Sequence, residues 1–192
     1  VPRGVAIPEL RQQLFAAAEQ VIIREGPARL SGRAVTGEAG VAAGLLYAHF
    51  TDFDDFLAAY AVDRSFTIAA AVGALAGTGD VAADLCDAVL AIPRDTLTAL
   101  ARILVLRPEL AARVNAVLGD RAAGLDAIEQ AAAAHLAAAR RAGRIAADPA
   151  AVALALVGVL HHLVLSGADD LETRLRQAIA ALVGSNERSD SV

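Results

Sequence analysis

Lysine, methionine and tryptophan are absent from this 192-residue chain, cysteine occurs once, and aromatic residues make up only 4% of it. The single cysteine, Cys86, excludes an internal disulfide framework and a multi-cysteine zinc site. With so few rings, the core has to be assembled from Ala, Leu and Val. All 17 cationic residues are arginines, set against 22 acids for a formal net charge of -5. That balance excludes a strongly basic nucleic-acid coat and leaves room only for a local patch. A Gly-rich nucleotide loop, a paired His-Glu zinc motif and a nucleophile elbow are all missing, so neither catalysis, a cofactor nor a metal is expected. No apolar run sits beside a basic segment at the N-terminus, as a secretory signal would require. Val1-Pro2-Arg3-Gly4 looks like the end of a protease-cleavable linker and is set aside.

What is present is a folding composition, 56% hydrophobic and 20% charged, of a length for one large or two small domains. The mean hydropathy of +0.50 raises the membrane question. The most apolar stretch, residues 150–165, is broken by His161-His162 and is shorter than the ~20 residues of a spanning helix. A buried core helix in a cytoplasmic protein with no membrane partner is the expectation.

The periodicity is helical almost throughout. Leu10, Leu14 and Val21 adjoin a second row of Phe15, Ala18 and Ile22, the pattern of a core-facing first helix. Gly26 and Pro27 stop it. Ser31 can cap a helix to Ala39, Gly40 ends that helix, and a third helix over about 42–48 leads to Phe50. Thr51-Asp52 opens a fourth, with Phe53, Phe56, Leu57 and Tyr60 at helical spacing. Gly73, Gly77 and Gly79 loosen the chain. Further helices are expected at about 80–92, 94–106, 108–118, 120–142, 149–166 and from Ala168-Asp169 to 183, before a polar tail at 185–192.

Two short helices meeting at a Gly-containing turn form a helix-turn-helix, whose second helix can enter the DNA major groove. Here the sequence resembles the TetR family of bacterial transcriptional regulators. The likeness is carried by Glu25-Gly26, Ser31 to Val35, Glu38-Ala39-Gly40-Val41, Gly44, Leu46-Tyr47-Ala48-His49-Phe50 and Asp54 to Leu57. It implies an all-α fold, with a DNA-binding domain at residues 5–64 and a ligand-binding and dimerisation domain at 65–184. It also implies that Tyr47 and His49 contact phosphate, that Arg33 reaches bases or backbone, and that Ala42, Ala43 and Gly44 approach base edges. Ser31, Gly32 and Leu45 complete the expected DNA-facing set. On the residues alone, Tyr47 fits a core aromatic as well as a phosphate contact, and Arg33 and His49 fit a solvated surface.

Against the family pattern, Gly32 and Leu45 stand where hydroxyl side chains are common, Ala42 where a capping Ser or Thr is usual, and Phe53 where a Lys touches the backbone. Residues 1–64 carry 6 Arg and 8 acids. Weak or strongly salt-sensitive DNA binding is expected from these departures.

In the second half, the helix near 149–166 is apolar all round and the last helix carries an apolar stripe. Val152, Leu156, Val159, Leu163, Leu171, Leu175, Ile179 and Leu182 are the expected two-fold interface, with ordinary core packing as the alternative. Polar or aromatic groups in this half that could orient a small, largely apolar effector are Phe66, Cys86, Thr98, Arg102, Asn115, His135, His161 and His162. The expected function is a ligand-responsive regulator, usually a repressor, binding a pseudo-palindromic operator as a homodimer. The alternative is a regulator-like dimer that has lost DNA binding and acts through a ligand or protein partner.

Overall fold

The computed structural model of the chain describes residues 7–73, 75, 79–118, 124–167 and 169–184. The linker-like residues 1–4, Gly77, the stretch 120–123, Ala168 and the tail 185–192 lie outside the described residues. Ten α-helices are described and no strand: α1 Ile7–Glu25, α2 Gly32–Glu38, α3 Ala43–His49, α4 Phe53–Gly73, α5 Val81–Leu90, α6 Arg94–Leu106, α7 Glu109–Leu118, α8 Gly124–Arg141, α9 Pro149–Ser166 and α10 Leu171–Gly184. The all-α architecture expected from periodicity is therefore present. A single 3-10 turn, Pro27–Arg29, was not anticipated. It follows Gly26, whose φ of 85° ends α1 in a conformation that glycine adopts without steric cost.

The rings are concentrated in the first third. Phe15, Phe50, Phe56 and Tyr60 are all buried. Phe15 lies 5.6 Å from Phe56, and Phe50 meets Phe56 edge-on at 5.2 Å. α1, α3 and α4 thus share one aromatic core. The expected aliphatic core accompanies the rings in the first part, as Leu14, Ile22, Leu46 and Leu57, and stands without them in the second, where Ile68, Leu85, Ile103, Ile128 and Leu136 are the large fully buried side chains.

α4 runs unbroken through residues 64 and 65, where the sequence suggested a domain boundary. It meets α1 through Phe56 on Phe15 and Arg64 on Glu19, and it packs on α7 and α8, so one continuous helix joins the helix-turn-helix to the remaining bundle. By length and composition, α4 and α9 are each long and apolar enough to cross a membrane. α4 was not flagged in the sequence. Within the fold α4 carries the buried Arg64, and α9 is held between α8, α10 and α6.

Candidate nucleic-acid interface

Local sequence fixes the geometry of α2 and α3. Ser31 is the N-cap of α2, its Oγ accepting from the Ala34 N–H at 3.2 Å. Thr36 Oγ1 donates to the Gly32 carbonyl at 2.8 Å, and the Val41 N–H donates to the Thr36 carbonyl at 3.0 Å, folding the turn back on α2. Gly40 supplies the positive φ of 68° that the turn needs. Gln13 donates from α1 to the Ala39 carbonyl at 2.8 Å, and Arg24 pairs with Glu38, so α1 holds the end of α2 from two sides.

α3 begins without a side-chain cap, because Ala42 offers no acceptor. Leu46 is fully buried and Phe50 is buried just past its end, and these two anchor the helix. Ala42, Ala43, Gly44, Leu45 and Tyr47 are exposed and His49 is half-buried. Tyr47 is 56% exposed, which places it on the surface and not among the core aromatics. Ser31 and Arg33 are exposed on α2, whereas Gly32 is buried. The expected DNA-facing residues other than Gly32 thus occupy exposed or half-exposed positions on the helix pair.

Several of the acids in this region are paired with arginines. Glu19 and Asp63 both pair with Arg64 at 2.8 Å, and Asp54 pairs with Arg107 from the α6–α7 turn at 3.0 Å. At the start of α4, Asp52 accepts from the Asp55 N–H at 2.7 Å while Asp55 accepts from the Thr51 N–H at 3.0 Å, a reciprocal capping arrangement. The arginine partners of Glu19, Asp63 and Asp54 offset part of the repulsion of phosphate, whereas Asp52 and Asp55 remain exposed at the start of α4. Phe53 is half-buried and stacks on Phe56 at 5.7 Å.

The second part holds a mostly apolar cavity of about 180 Å³, lined by Ser65, Leu104, Ala111, Val114, Asn115, Gly124, Leu125 and Asp126. It lies between α4, α6, α7 and α8. Of the eight side chains expected around an effector, only Asn115 lines it. Phe66 is 46% exposed on the outside of α4, and Thr98 is buried in α6. Arg102 approaches the Ile23 carbonyl of α1 at 3.5 Å. His135 faces the buried Asp84 across α5 and α8, Nε2 to Oδ2 at 3.4 Å. His161 is half-buried and His162 exposed on α9. Sequence reasoning missed the rest of the lining because Leu, Val and Ala carry no polar signal, and Ser65 and Asp126 sit in helices read only for their apolar rows.

Cys86 is 2% exposed, in α5, which packs against α10, and burial pushes its thiol pKa up. A protonated, enclosed thiol is a poor nucleophile. Alkylation of the folded protein by iodoacetamide at about pH 8 is expected to be at least ~10-fold slower than in urea. Equal rates would show that Cys86 is open to solvent.

The expected interface residues are also redistributed. Val152, Leu156, Leu163, Leu171, Leu175 and Ile179 are buried within the single chain, and only Val159 and Leu182 are half-exposed. The six buried side chains already pack intramolecularly, so they are not free to meet a second copy. The open face of α9 is a different stripe: Ala151, Leu154, Gly158, His162 and Leu165. Beside it Gly158, Val159, His162, Leu163, Arg174, Gln177 and Ala178 border a shallow hollow of about 590 Å³. Among the described residues no cluster of three or more His, Cys, Asp or Glu could hold a metal ion.

Residues 14–60 match the family model described as Bacterial regulatory proteins, tetR family. Among solved structures, the chain is similar to a transcriptional regulator from Rhodococcus sp. Rha1, at 20% identity and a TM-score of 0.72, covering 95% of this chain and 98% of that one. It is also similar to the fatty acid degradation regulator FadR from Bacillus halodurans, at 20% identity and a TM-score of 0.70, covering 97% and 100%. A third, the multidrug binding protein EbrR complexed with imidazole, is 24% identical with a TM-score of 0.56, covering 92% and 96%. No curated protein matches the chain.

Proposed function

We propose that the chain, whose residues 14–60 match the tetR family of bacterial regulatory proteins, is a ligand-responsive transcriptional repressor of that family. In this reading residues 5–64 bind a pseudo-palindromic operator, residues 65–184 bind an effector and dimerise, and the protein works in the cytoplasm. The observation that carries the reading is the exposed surface of α3, with Ala43, Gly44 and Leu45 open at its start and Tyr47 beyond them, on a helix anchored by the fully buried Leu46. Small side chains let the backbone approach base edges and offer apolar contact to a thymine methyl, while Tyr47, His49 and Arg33 supply donors to the backbone.

The open stripe of α9 supports a homodimer. Gly158 sits in the middle of a helix, where glycine costs roughly 0.5–1 kcal/mol relative to alanine. A Cβ there would meet nothing in its own chain within 4 Å. Close approach of a second copy accounts for it. Two copies related by a two-fold axis would present two α3 helices to half-sites a helical turn or more apart.

The cavity supports a small, largely apolar effector oriented by Ser65, Asn115 and Asp126. The names of the two relatives, a fatty acid degradation regulator and a multidrug binding protein, are consistent with an organic effector. An effector that favours the DNA-free conformation lowers operator affinity by the same factor by which DNA lowers effector affinity. A thermal-shift screen of small organic molecules, followed by operator titration with and without each hit, measures both. Tight binding without any change in operator affinity would remove regulation from the proposal.

Tyr47→Ala and His49→Ala test the DNA-binding surface itself. Each is expected to weaken every duplex by a similar factor, because phosphate contacts carry no sequence information. Fluorescence anisotropy on operator and scrambled duplexes reads the effect. Wild-type affinity in both variants would mean that α3 is not the DNA-facing helix.

A further inference from the structure

Gly32 occupies a position whose glycine the backbone does not require. It is the first residue of α2 and is buried. It is not among the residues with positive φ, all of which lie elsewhere among the described residues. A helical glycine without such a need is a cost, so space is the remaining reason for it. A Cβ at residue 32 would lie 2.6 Å from Tyr47 Oη and 3.4 Å from its Cζ, with Phe53 Cδ2 next at 3.8 Å. Tyr47 therefore reaches back from α3 and rests the end of its phenol on the bare backbone of Gly32, beside the Phe53 ring. The rest of its ring remains outside, at 56% exposure. Among the described residues the Tyr47 hydroxyl has no hydrogen-bond partner, so its proton is free to be donated outward.

Resting on the DNA-binding reading above, we propose that Gly32 is a positioning residue: it is the seat that holds the Tyr47 hydroxyl where it donates to a DNA phosphate oxygen. The ring spans the helix pair, and a phenol has only two side-chain torsions to fix. Once its far end rests on residue 32, the hydroxyl is placed before DNA arrives. A methyl group at position 32 would occupy the seat. The displaced atom is the tip of an exposed side chain, so the fold gives way cheaply while the hydroxyl loses its place.

The test is a cycle of Gly32→Ala, Tyr47→Phe and the double variant, titrated onto a mixed-sequence 30-base-pair duplex at low salt. Removing a hydrogen bond to a charged oxygen is expected to weaken binding by about tenfold. Gly32→Ala should lose about as much as Tyr47→Phe, and the double variant no more than either alone. The melting temperature of Gly32→Ala should equal or exceed that of the parent, since alanine is the better helix former. Wild-type affinity in Gly32→Ala, or losses that multiply in the double variant, would overturn the proposal.

A second readout works without DNA. The chain has 2 tyrosines, so fluorotyrosine labelling gives two assignable fluorine resonances. Gly32→Ala should shift the Tyr47 resonance and leave that of the buried Tyr60 in place. An unmoved Tyr47 signal refutes the seat even if the wild type binds DNA. A moved signal in a protein that binds no duplex instead refutes the DNA-binding reading, and the positioning role with it.

Discussion

Replacing Arg64 with alanine is expected to destabilise the protein by about 3–5 kcal/mol, the cost of leaving buried charges without their partner. Arg64 is 9% exposed and Glu19 is 8% exposed, and their side chains meet at 2.8 Å between α4 and α1. Arg64 also donates to Asp63 at 2.8 Å and to Gln12 at 3.1 Å, and Gln12 returns a bond to Asp63 at 2.8 Å. The guanidinium further lies 5.7 Å from the centroids of both Phe15 and Tyr60. Removing it strands the Glu19 carboxylate in a nearly dry site. It also leaves the buried Tyr60 hydroxyl, whose pKa desolvation and Glu19 already raise, beside an unopposed negative charge. Urea unfolding measures the loss. The double change Glu19→Leu/Arg64→Met should recover much of it, because an apolar pair carries no desolvation penalty. A loss under about 1 kcal/mol for Arg64→Ala would mean that water reaches the pair and that it behaves as a surface ion pair. Ser65, the next residue, lines the cavity, so the clamp and the proposed effector site adjoin on α4.

Gly158→Arg is expected to separate the proposed dimer while leaving each subunit folded. A Cβ at this position meets nothing in its own chain within 4 Å, and arginine is a better helix former than glycine. Across a two-fold axis, however, each copy would place a cation against an apolar stripe containing Leu154 and Leu165, which are 61% and 36% exposed in the single chain. Burying an unpaired charge costs several kcal/mol, enough to raise the dimer Kd by a hundredfold or more. Operator affinity should fall by about 10²–10⁴, because the two half-sites are then bound by unlinked subunits. Sedimentation at micromolar concentration should find a folded monomer. A Gly158→Arg protein that remains dimeric would place the interface elsewhere. Leu175→Arg and Ile179→Arg do not serve this test. Their side chains are 0% and 1% exposed within one chain, and charging them would unfold it.

The contrast between those positions shows what the sequence could carry. Helix ends were legible because they depend on local chemistry. Ser31 and Asp148 accept from backbone N–H groups three residues on, Pro149 starts α9, and positive-φ glycines follow α1, α2 and α9. The helix-turn-helix was legible for the same reason, with the fully buried Leu46 and the exposed Tyr47 marking the inner and outer sides of α3. The partner of each apolar face was not legible. α9 is hydrophobic all round, so nothing in its periodicity separates Val152 and Leu156, which face the chain's own core, from Leu154 and Gly158, which do not. Polar residues misled for a related reason. His135 and Cys86 stand out as polar groups in apolar helices, yet one faces the buried Asp84 at 3.4 Å and the other is enclosed where α5 meets α10, and neither lines the cavity. The cavity instead falls between four helices, α4, α6, α7 and α8, whose meeting no local pattern announces. Gly32 read as a lost hydroxyl until the Tyr47 hydroxyl was found against it.

The proposed regulation depends on α3 reading DNA in a two-fold complex. Footprinting of the wild-type protein on the DNA flanking its own coding sequence tests it most directly, with the affinity followed between about 50 and 200 mM salt. The expected result is protection of a pseudo-palindrome whose half-sites lie one helical turn or more apart, with affinity falling steeply as salt rises. Absence of any protected site at low salt, from a protein shown to be folded and dimeric, would contradict it.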